Sequence, residues 1–277
     1  MLRCGKFELP LDRPLVMGIV NLTPNSFSGD GVVGDAQRAI AHARRQIEAG
    51  ADMLDLGAES SRPGAQPTSL KDELDRLLPV LEGLEGCGVP ISVDTYKPEV
   101  MRAAIAAGAA MINDIYALRM PGALDVIAQS DCGICLMHMQ GEPLTMQQAP
   151  DYSDVVAEVV DFLAQRVRAA VAAGISADRL VLDPGFGFGK SLEHNLVLLR
   201  RLDQLAVDGL PLLAGMSRKS MLGAITGREV GQRLAASIAS ALVAAQRGAR
   251  ILRVHDVAET CDALAVLMAI DFPTQHR

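Results

Sequence analysis

The feature that most constrains this chain is a repeated alternation. Short apolar runs rich in β-branched residues recur at intervals of very roughly 30 residues, the length of one strand–helix unit. They fall at 15–20, 52–56, 90–93, 110–112, 133–137, 180–182, 210–214 and 251–254, eight in all. Amphipathic segments lie between them at 35–48, 69–84, 98–107, 151–173, 230–247 and 258–270. Several carry end signals: Gly50 and Gly174 stand where helices stop, Ser69 precedes Asp72 by three residues, and Pro98 occupies a first turn. Strands alternating with helices specify a parallel sheet with crossover helices. Eight units favour closure into a single (β/α)8 barrel of the TIM type, with a doubly wound open sheet as the structural alternative. No linker or low-complexity tract divides residues 1–277, so one domain is expected.

Composition excludes several classes. Hydrophobic residues make up 49% and aromatics only 3%, so the core is aliphatic, as suits helices on a parallel sheet. With 26 Lys and Arg against 33 Asp and Glu the formal charge is −7, which argues against a nucleic-acid surface. An anionic substrate would need a local basic cluster. The five cysteines, at 4, 87, 132, 135 and 261, are odd in number and scattered, as in a reduced intracellular protein. Cys132 and Cys135 form a C-x-x-C pair without a second pair or a His spacing, and are read as strand packing. The N-terminus lacks a signal-peptide core and no run is long enough to span a membrane, so a cytoplasmic location without an anchor is expected.

Polar residues recur where the apolar runs end. They are Asn21; Asp55 leading to Glu59 and Arg62; Asp94; Asn113-Asp114; Met137-His138; Asp183 through Lys190; Ser217-Arg-Lys219-Ser220; and Arg253-Val-His255-Asp256. One such residue is usually a cap or a turn. All eight strands ending this way, on the face where a barrel gathers its catalytic side chains, indicate one polar cavity. By charge they divide in two. Asp94, Asn113 and Asp183, with Lys219, suit the N–H-rich edge of a flat heterocycle, because a carboxylate accepts two parallel N–H bonds. Arg62, Arg253 and His255, with Asn21, suit a pyrophosphate. The long loops 21–34, 58–69 and 139–150 would border that cavity.

Eight ordered segments carry a resemblance. They are Met17-Gly-Ile-Val-Asn-Leu-Thr-Pro-Asn-Ser-Phe-Ser, Asp55-Leu-Gly-Ala-Glu-Ser-Ser-Arg-Pro-Gly-Ala, Ser92-Val-Asp-Thr-Tyr-Lys-Pro, Ile112-Asn-Asp-Ile, Met137-His-Met-Gln-Gly, Leu182-Asp-Pro-Gly-Phe-Gly-Phe-Gly-Lys, Met216-Ser-Arg-Lys-Ser and Arg253-Val-His-Asp-Val. Together they resemble the signature segments of the bacterial dihydropteroate synthase family across nearly the whole chain. The resemblance implies the closed barrel and a Mg²⁺-using transferase that joins 6-hydroxymethyl-7,8-dihydropterin pyrophosphate to p-aminobenzoate. It implies a pterin pocket of Asp94, Asn113, Met137, Asp183 and Lys219 and a pyrophosphate site of Asn21, Arg62, Arg253 and His255, with Asn21 also reaching the metal. It implies a p-aminobenzoate site of Phe27, Ser61, Pro63, Phe188, Lys219 and Ser220. Asp94, Lys219, Arg253 and His255 are the expected catalytic set.

The family also implies sulfonamides as competitive inhibitors and a homodimer through the last helices. Among the departures are Asn25 where the family carries an acid, Gly29-Asp30 with the later acid displaced by one position, and Ser61 for the usual Thr. No metal role is carried over to Asp30. Ala58, at a common Gly position, requires a negative φ. No insertion stands beside Phe188 and Gly189, so ordinary sulfonamide sensitivity is expected. Two other readings compete: a pterin-binding methyltransferase acting with a corrinoid protein, and a non-catalytic paralogue. The first would not need the basic cluster and the second would be expected to lose it.

Overall fold

The computed structural model describes residues 1–23, 31–60 and 64–271. Each of the eight apolar runs is a strand: β3 Leu15–Asn21, β4 Met53–Gly57, β5 Ile91–Asp94, β6 Met111–Asp114, β7 Gly133–Met137, β8 Leu180–Asp183, β9 Leu212–Ala214 and β10 Ala249–Val254. They pair in parallel, each with its sequence neighbours, and β10 pairs with both β9 and β3 to close the ring. The barrel therefore replaces the open-sheet alternative. Helices α1 Gly31–Glu48, α2 Leu70–Gly83, α3 Pro98–Ala106, α4 Ala123–Ala128, α5 Val155–Ala172, α6 Leu192–Arg200, α7 Ser220–Thr226, α8 Leu234–Gln246 and α9 Val257–Asp271 follow the barrel strands in turn.

Alternation along each strand divides the core. Val16, Val20, Leu54, Leu56, Val93, Ile112, Leu136, Leu182 and Leu252 face outward and pack in one continuous cluster with the helices. Their alternates Met17, Met53, Met111, Cys135, Val181, Leu213 and Ile251 point inward and form a second cluster. Met17↔Met53 are register partners on β3 and β4, and Met111↔Gly133 on β6 and β7. A two-stranded antiparallel hairpin, β1 Leu2–Cys4 and β2 Phe7–Leu9, closes this end by setting Leu2 and Cys4 against the inward cluster. The hairpin lies outside the strand–helix repeat, and its strands are too short to stand out as apolar runs, unlike β9, whose three residues sit within the longer run 210–214, so it is unforeseen. Short helices α4, α6 and α7 escape the periodicity for the same reason.

Local signals account for the boundaries. Ser69 accepts from the Asp72 amide at 3.1 Å and caps α2, and Pro98 starts α3. The segment expected from 151 begins its helix only at Val155, because Asp154 is its cap and accepts from Val156 and Ala157. Ala58 is not among the residues of positive φ, so the Gly-to-Ala departure costs nothing in backbone strain. Cys132 and Cys135 are free and buried, Cys135 within β7, as strand packing requires. The join between β8 and β9 is the thinnest in the ring, with a single register pair, Leu182↔Leu212, against five between β3 and β4.

Candidate functional site

Inward positions one step beyond the apolar layer are polar, and they lie at the C-terminal mouth. Asp55 of β4 is fully buried beside Ser92 of β5 in register. One further step along, Asp94 pairs in register with Asn113 of β6 and with Gly57 of β4, and Gly57 in turn with Asn21 of β3. Asp183 ends β8, level with Met137 of β7.

A chain of charge crosses the interior. Arg253 of β10 donates from Nε to Asp55 Oδ2 at 2.6 Å and from Nη2 to Asp94 Oδ2 at 3.1 Å. Asn113 Nδ2 donates to the same Asp55 oxygen at 3.2 Å. Burial works against the Arg253 cation, but Asp55 and Asp94 outweigh it and hold its pKa above the ordinary value. Burial likewise pushes the Asp94 carboxyl up to about 7, against the opposing pull of Arg253 and with help from Asp55 and Glu73. Here the geometry differs from the charge division read in sequence. Arg253, placed there among the anion-binding donors, is tied to two carboxylates, because the buried acids of β4 and β5 need a counter-charge that only a long side chain from across the barrel brings. Asp55 is the site residue that sequence reasoning left unassigned. Its signal was present: an acid inside the apolar run Met53-Leu-Asp-Leu occupies an inward position by alternation.

The second cluster lies between β8 and β9. The loop after β8 carries Gly185, Gly187 and Gly189 at φ +68, +79 and +58. A Cβ on Gly185 would meet the His138 carbonyl at 1.9 Å, and one on Gly189 the Gln140 carbonyl at 2.4 Å, so only glycine lets this loop lie on the end of β7. Gly185 N–H donates to Asp183 Oδ1 at 2.7 Å. Burial raises the Asp183 pKa, opposed chiefly by Lys219. Lys219, in the turn between β9 and α7, donates to the Phe186 carbonyl and places its ammonium 4.7 Å from the Phe188 ring centroid. Burial pulls Lys219 down to about 8. Ser220 opens α7 and is exposed. Met137 joins Ile115, Met139 and Met146, with Tyr96, Tyr116 and Phe188 against them, in an apolar wall at the mouth.

His255 follows β10, and its Nδ1 lies 3.0 Å from Ser217 Oγ, which also accepts from the His255 amide at 3.2 Å. Ser217 thus orients the imidazole, a role not assigned from sequence. Asn21 and Asp94 flank Gly57: a Cβ there would lie 4.0 Å from Asn21 Oδ1 and 3.8 Å from Asp94 Oδ2. Asp183 and His255 stand on the same rim, one ending β8 and the other following β10. Phe27, Ser61, Arg62 and Pro63, with Asn25 and Asp30, lie outside the described residues. Asp114, at the end of β6, proves to be a turn acceptor for the amides of Tyr116 and Leu118. Among the described residues no group of three His, Cys, Asp or Glu side chains is arranged to hold a metal, and no helix is long and apolar enough to cross a membrane.

Comparison with known proteins agrees across the chain. Residues 17–255 match the family described as pterin binding enzyme. The dihydropteroate synthase of Neisseria meningitidis serogroup B is 50% identical over 97% of this chain and 96% of its own. The Xanthomonas albilineans dihydropteroate synthase solved with 4-aminobenzoic acid is 55% identical, covers 95% of each chain and superposes with a TM-score of 0.90. The Burkholderia cenocepacia dihydropteroate synthase solved with 7,8-dihydropteroate is 51% identical over 100% of this chain and 98% of its own, with a TM-score of 0.91.

Proposed function

The chain belongs to the dihydropteroate synthase family of pterin-binding enzymes, and from that premise we propose how its barrel mouth makes 7,8-dihydropteroate and pyrophosphate from 6-hydroxymethyl-7,8-dihydropterin pyrophosphate and p-aminobenzoate. The observation that carries the assignment of roles is the buried set Asp55, Arg253, Asp94 and Asn113 beside Asp183 and Lys219. It is a polar floor held in place before any substrate arrives. Asn113, Asp183 and Lys219 take the edge of the pterin, with Met137 on its apolar side, and the Asp94 carboxylate stands ready for charge on the ring.

The reacting C–O bond sits on a carbon conjugated to the pterin. It breaks first when the ring cation and the departing pyrophosphate are both stabilised, and fixed charges do this without reorganisation. Asp94 supports the cation. Arg253 and His255, with Arg62, take the leaving group, His255 being held in orientation by Ser217. The neutral aniline nitrogen of p-aminobenzoate then adds to the cation and releases its proton, so no strong general base is needed. Phe188, Lys219 and Ser220, with Phe27, Ser61 and Pro63, receive p-aminobenzoate. Sulfonamides compete for that place.

The residues fit a magnesium ion. Asn21 offers a neutral amide oxygen beside the Asp94 carboxylate, and Mg²⁺ usually takes the rest of its shell from phosphate oxygens and water. When bound, Mg²⁺ supplies Lewis-acid neutralisation of the pyrophosphate. We further propose a cytoplasmic homodimer. Ile225 of α7, Val243 of α8 and Val266 and Ile270 of α9 are exposed apolar side chains on neighbouring elements, which fits pairing through the last helices. A light-scattering mass near 29.4 kDa would refute the dimer.

The direct test is isotope transfer. Label from p-aminobenzoate is expected in dihydropteroate; methyl transfer to cobalamin without it would favour the corrinoid alternative. Calorimetry with pyrophosphate, Mg²⁺ and p-aminobenzoate added in different orders tests the assembly of the site. Appreciable p-aminobenzoate binding is expected only after anion and metal, and equal affinity for the bare enzyme would overturn that order.

A further inference from the structure

Lys190 is buried to 3% exposure, yet the assigned chemistry makes no use of it. Its partners are not carboxylates. Nζ lies 2.9 Å from His138 Nδ1 and donates to the Phe188 carbonyl at 2.9 Å and, more loosely, to the His138 carbonyl at 3.4 Å. Burial lowers its pKa to about 7, and Asp183 only partly offsets this. The same burial, with Lys190 nearby, pulls His138 down to about 2, so the imidazole is neutral and can accept at Nδ1. A buried ammonium held by an imidazole and two carbonyls is costly, and an apolar side chain of similar length would avoid the cost. Such a group is retained where it fixes something that packing alone leaves loose.

What it fixes is the glycine loop. With Gly185, Gly187 and Gly189 in left-handed conformations, this loop has few side chains with which to anchor itself. Other bonds grip its glycines: Gly187 N–H donates to Asn195 Oδ1 at 2.7 Å, Gln147 donates to the Gly187 carbonyl at 2.6 Å, and the Tyr152 hydroxyl donates to the Gly189 carbonyl at 2.7 Å. Lys190 grips the Phe188 carbonyl itself and anchors it to His138, the residue that follows β7. The Phe188 ring lies beneath the Lys219 ammonium, and Lys219 donates to the carbonyl of Phe186 in the same loop.

We propose that Lys190 is a positioning residue for the p-aminobenzoate subsite: its ammonium ties the Phe188 peptide to His138 and so sets the Phe188 ring against Lys219. The proposal rests on the assignment of Phe188 and Lys219 to that substrate. It separates Lys190 from Asp55, Asp94, Asn113 and Arg253, which their strands hold without reference to this loop; Asp183 and Lys219 touch the loop at Gly185 and Phe186, through bonds that Lys190 does not make.

Steady-state kinetics of the full-length enzyme test it, with Lys190→Met, Lys190→Gln and Tyr152→Phe beside the wild type. In Lys190→Met the KM for p-aminobenzoate is expected to rise about tenfold, while kcat and the KM for dihydropterin pyrophosphate stay within about twofold. Lys190→Gln keeps one donor for the Phe188 carbonyl and should recover part of the loss; it carries the test alone if the Met variant does not fold. Tyr152→Phe loosens the neighbouring Gly189 carbonyl and should leave the p-aminobenzoate KM within about twofold. An unchanged KM, an equal rise in both KM values, a fall in kcat alone, or the same split in Tyr152→Phe would overturn the proposal. A wild-type enzyme that forms no dihydropteroate would instead refute the underlying substrate assignment.

Discussion

The two ends of this barrel are built from the same strands on opposite plans. At the N-terminal end Met17, Met53, Met111 and Ile251 meet the hairpin residues Leu2 and Cys4 in an apolar plug without a charge. A few residues further along the barrel, the interior holds Asp55, Arg253, Asp94 and Asn113, each buried or nearly so and linked to another of the set, with Asp55 Oδ1 and Asn113 Oδ1 left without a partner among the described residues. Cys135, Met137, Val181 and Asp183 repeat the transition on β7 and β8. The inward face is thus one continuous surface whose chemistry changes within one or two steps. At the plug burial is uncompromised by charge. The mouth keeps charges out of water at a cost that only binding and catalysis explain.

This contrast is sharpest at Arg253. Lys, Met or Ala there would leave Asp55 and Asp94 with a poorer partner or none. Arg253→Met is expected to lower kcat/KM by about two to three decades and to destabilise the fold by about 3–5 kcal/mol, read by kinetics and by denaturant melts. An active and equally stable Arg253→Met enzyme would erase the distinction between the two ends.

A pH profile comes next in size. Asp94, at about 7, serves as a carboxylate, and Lys219, at about 8, as an ammonium. The kcat/KM profile, which reports the free enzyme, should rise with pH through about 7 and fall through about 8, tenfold per unit on each limb. The stability effect has the opposite sign for Asp94. Its folded pKa lies above its ordinary value of 3.8, so between pH 4 and 7 the unfolded chain releases that proton while the folded one retains it. Asp94 therefore makes stability fall as pH rises across that window, and Asp94→Asn should flatten the slope. A slope unchanged in Asp94→Asn would assign it to other groups.

Met53→Ala probes the plug. It should cost about 2–5 kcal/mol of stability by opening a cavity, while the folded enzyme keeps kcat/KM within about twofold. The smallest effect is expected at Cys132, buried just before β7: Cys132→Ala should cost about 1 kcal/mol and leave activity unchanged, with or without a thiol reductant. A redox-dependent activity that vanished in this variant would reverse the reading of the C-x-x-C pair as packing.

The contrast also marks what was legible in sequence. The repeated apolar runs placed all eight barrel strands, including β9 within the run 210–214, and the polar residues that end them placed Asp94, Asn113, Asp183, Lys219, Arg253 and His255 on one rim. It did not show which charge would meet which. The Arg253–Asp55 contact joins residues 198 positions apart, and it exists only because closure brings β10 beside β3 and lets a long side chain reach β4. Ser217 beneath His255 and Lys190 against His138 are of the same kind, local in space and remote in sequence. The hairpin that stoppers the barrel was unforeseen because it lies outside the strand–helix repeat and its strands do not stand out as apolar runs.

The narrow join between β8 and β9 has a consequence of its own. A closed ring resists opening everywhere except at its least-laced edge, and here that edge runs between β8, which ends in Asp183, and β9, whose following turn carries Lys219. Amide deuteration should enter at Leu212–Ala214 before it reaches β3 and β4, and dihydropteroate bridging the gap would slow that entry. The molecule would then be laced shut by its own product.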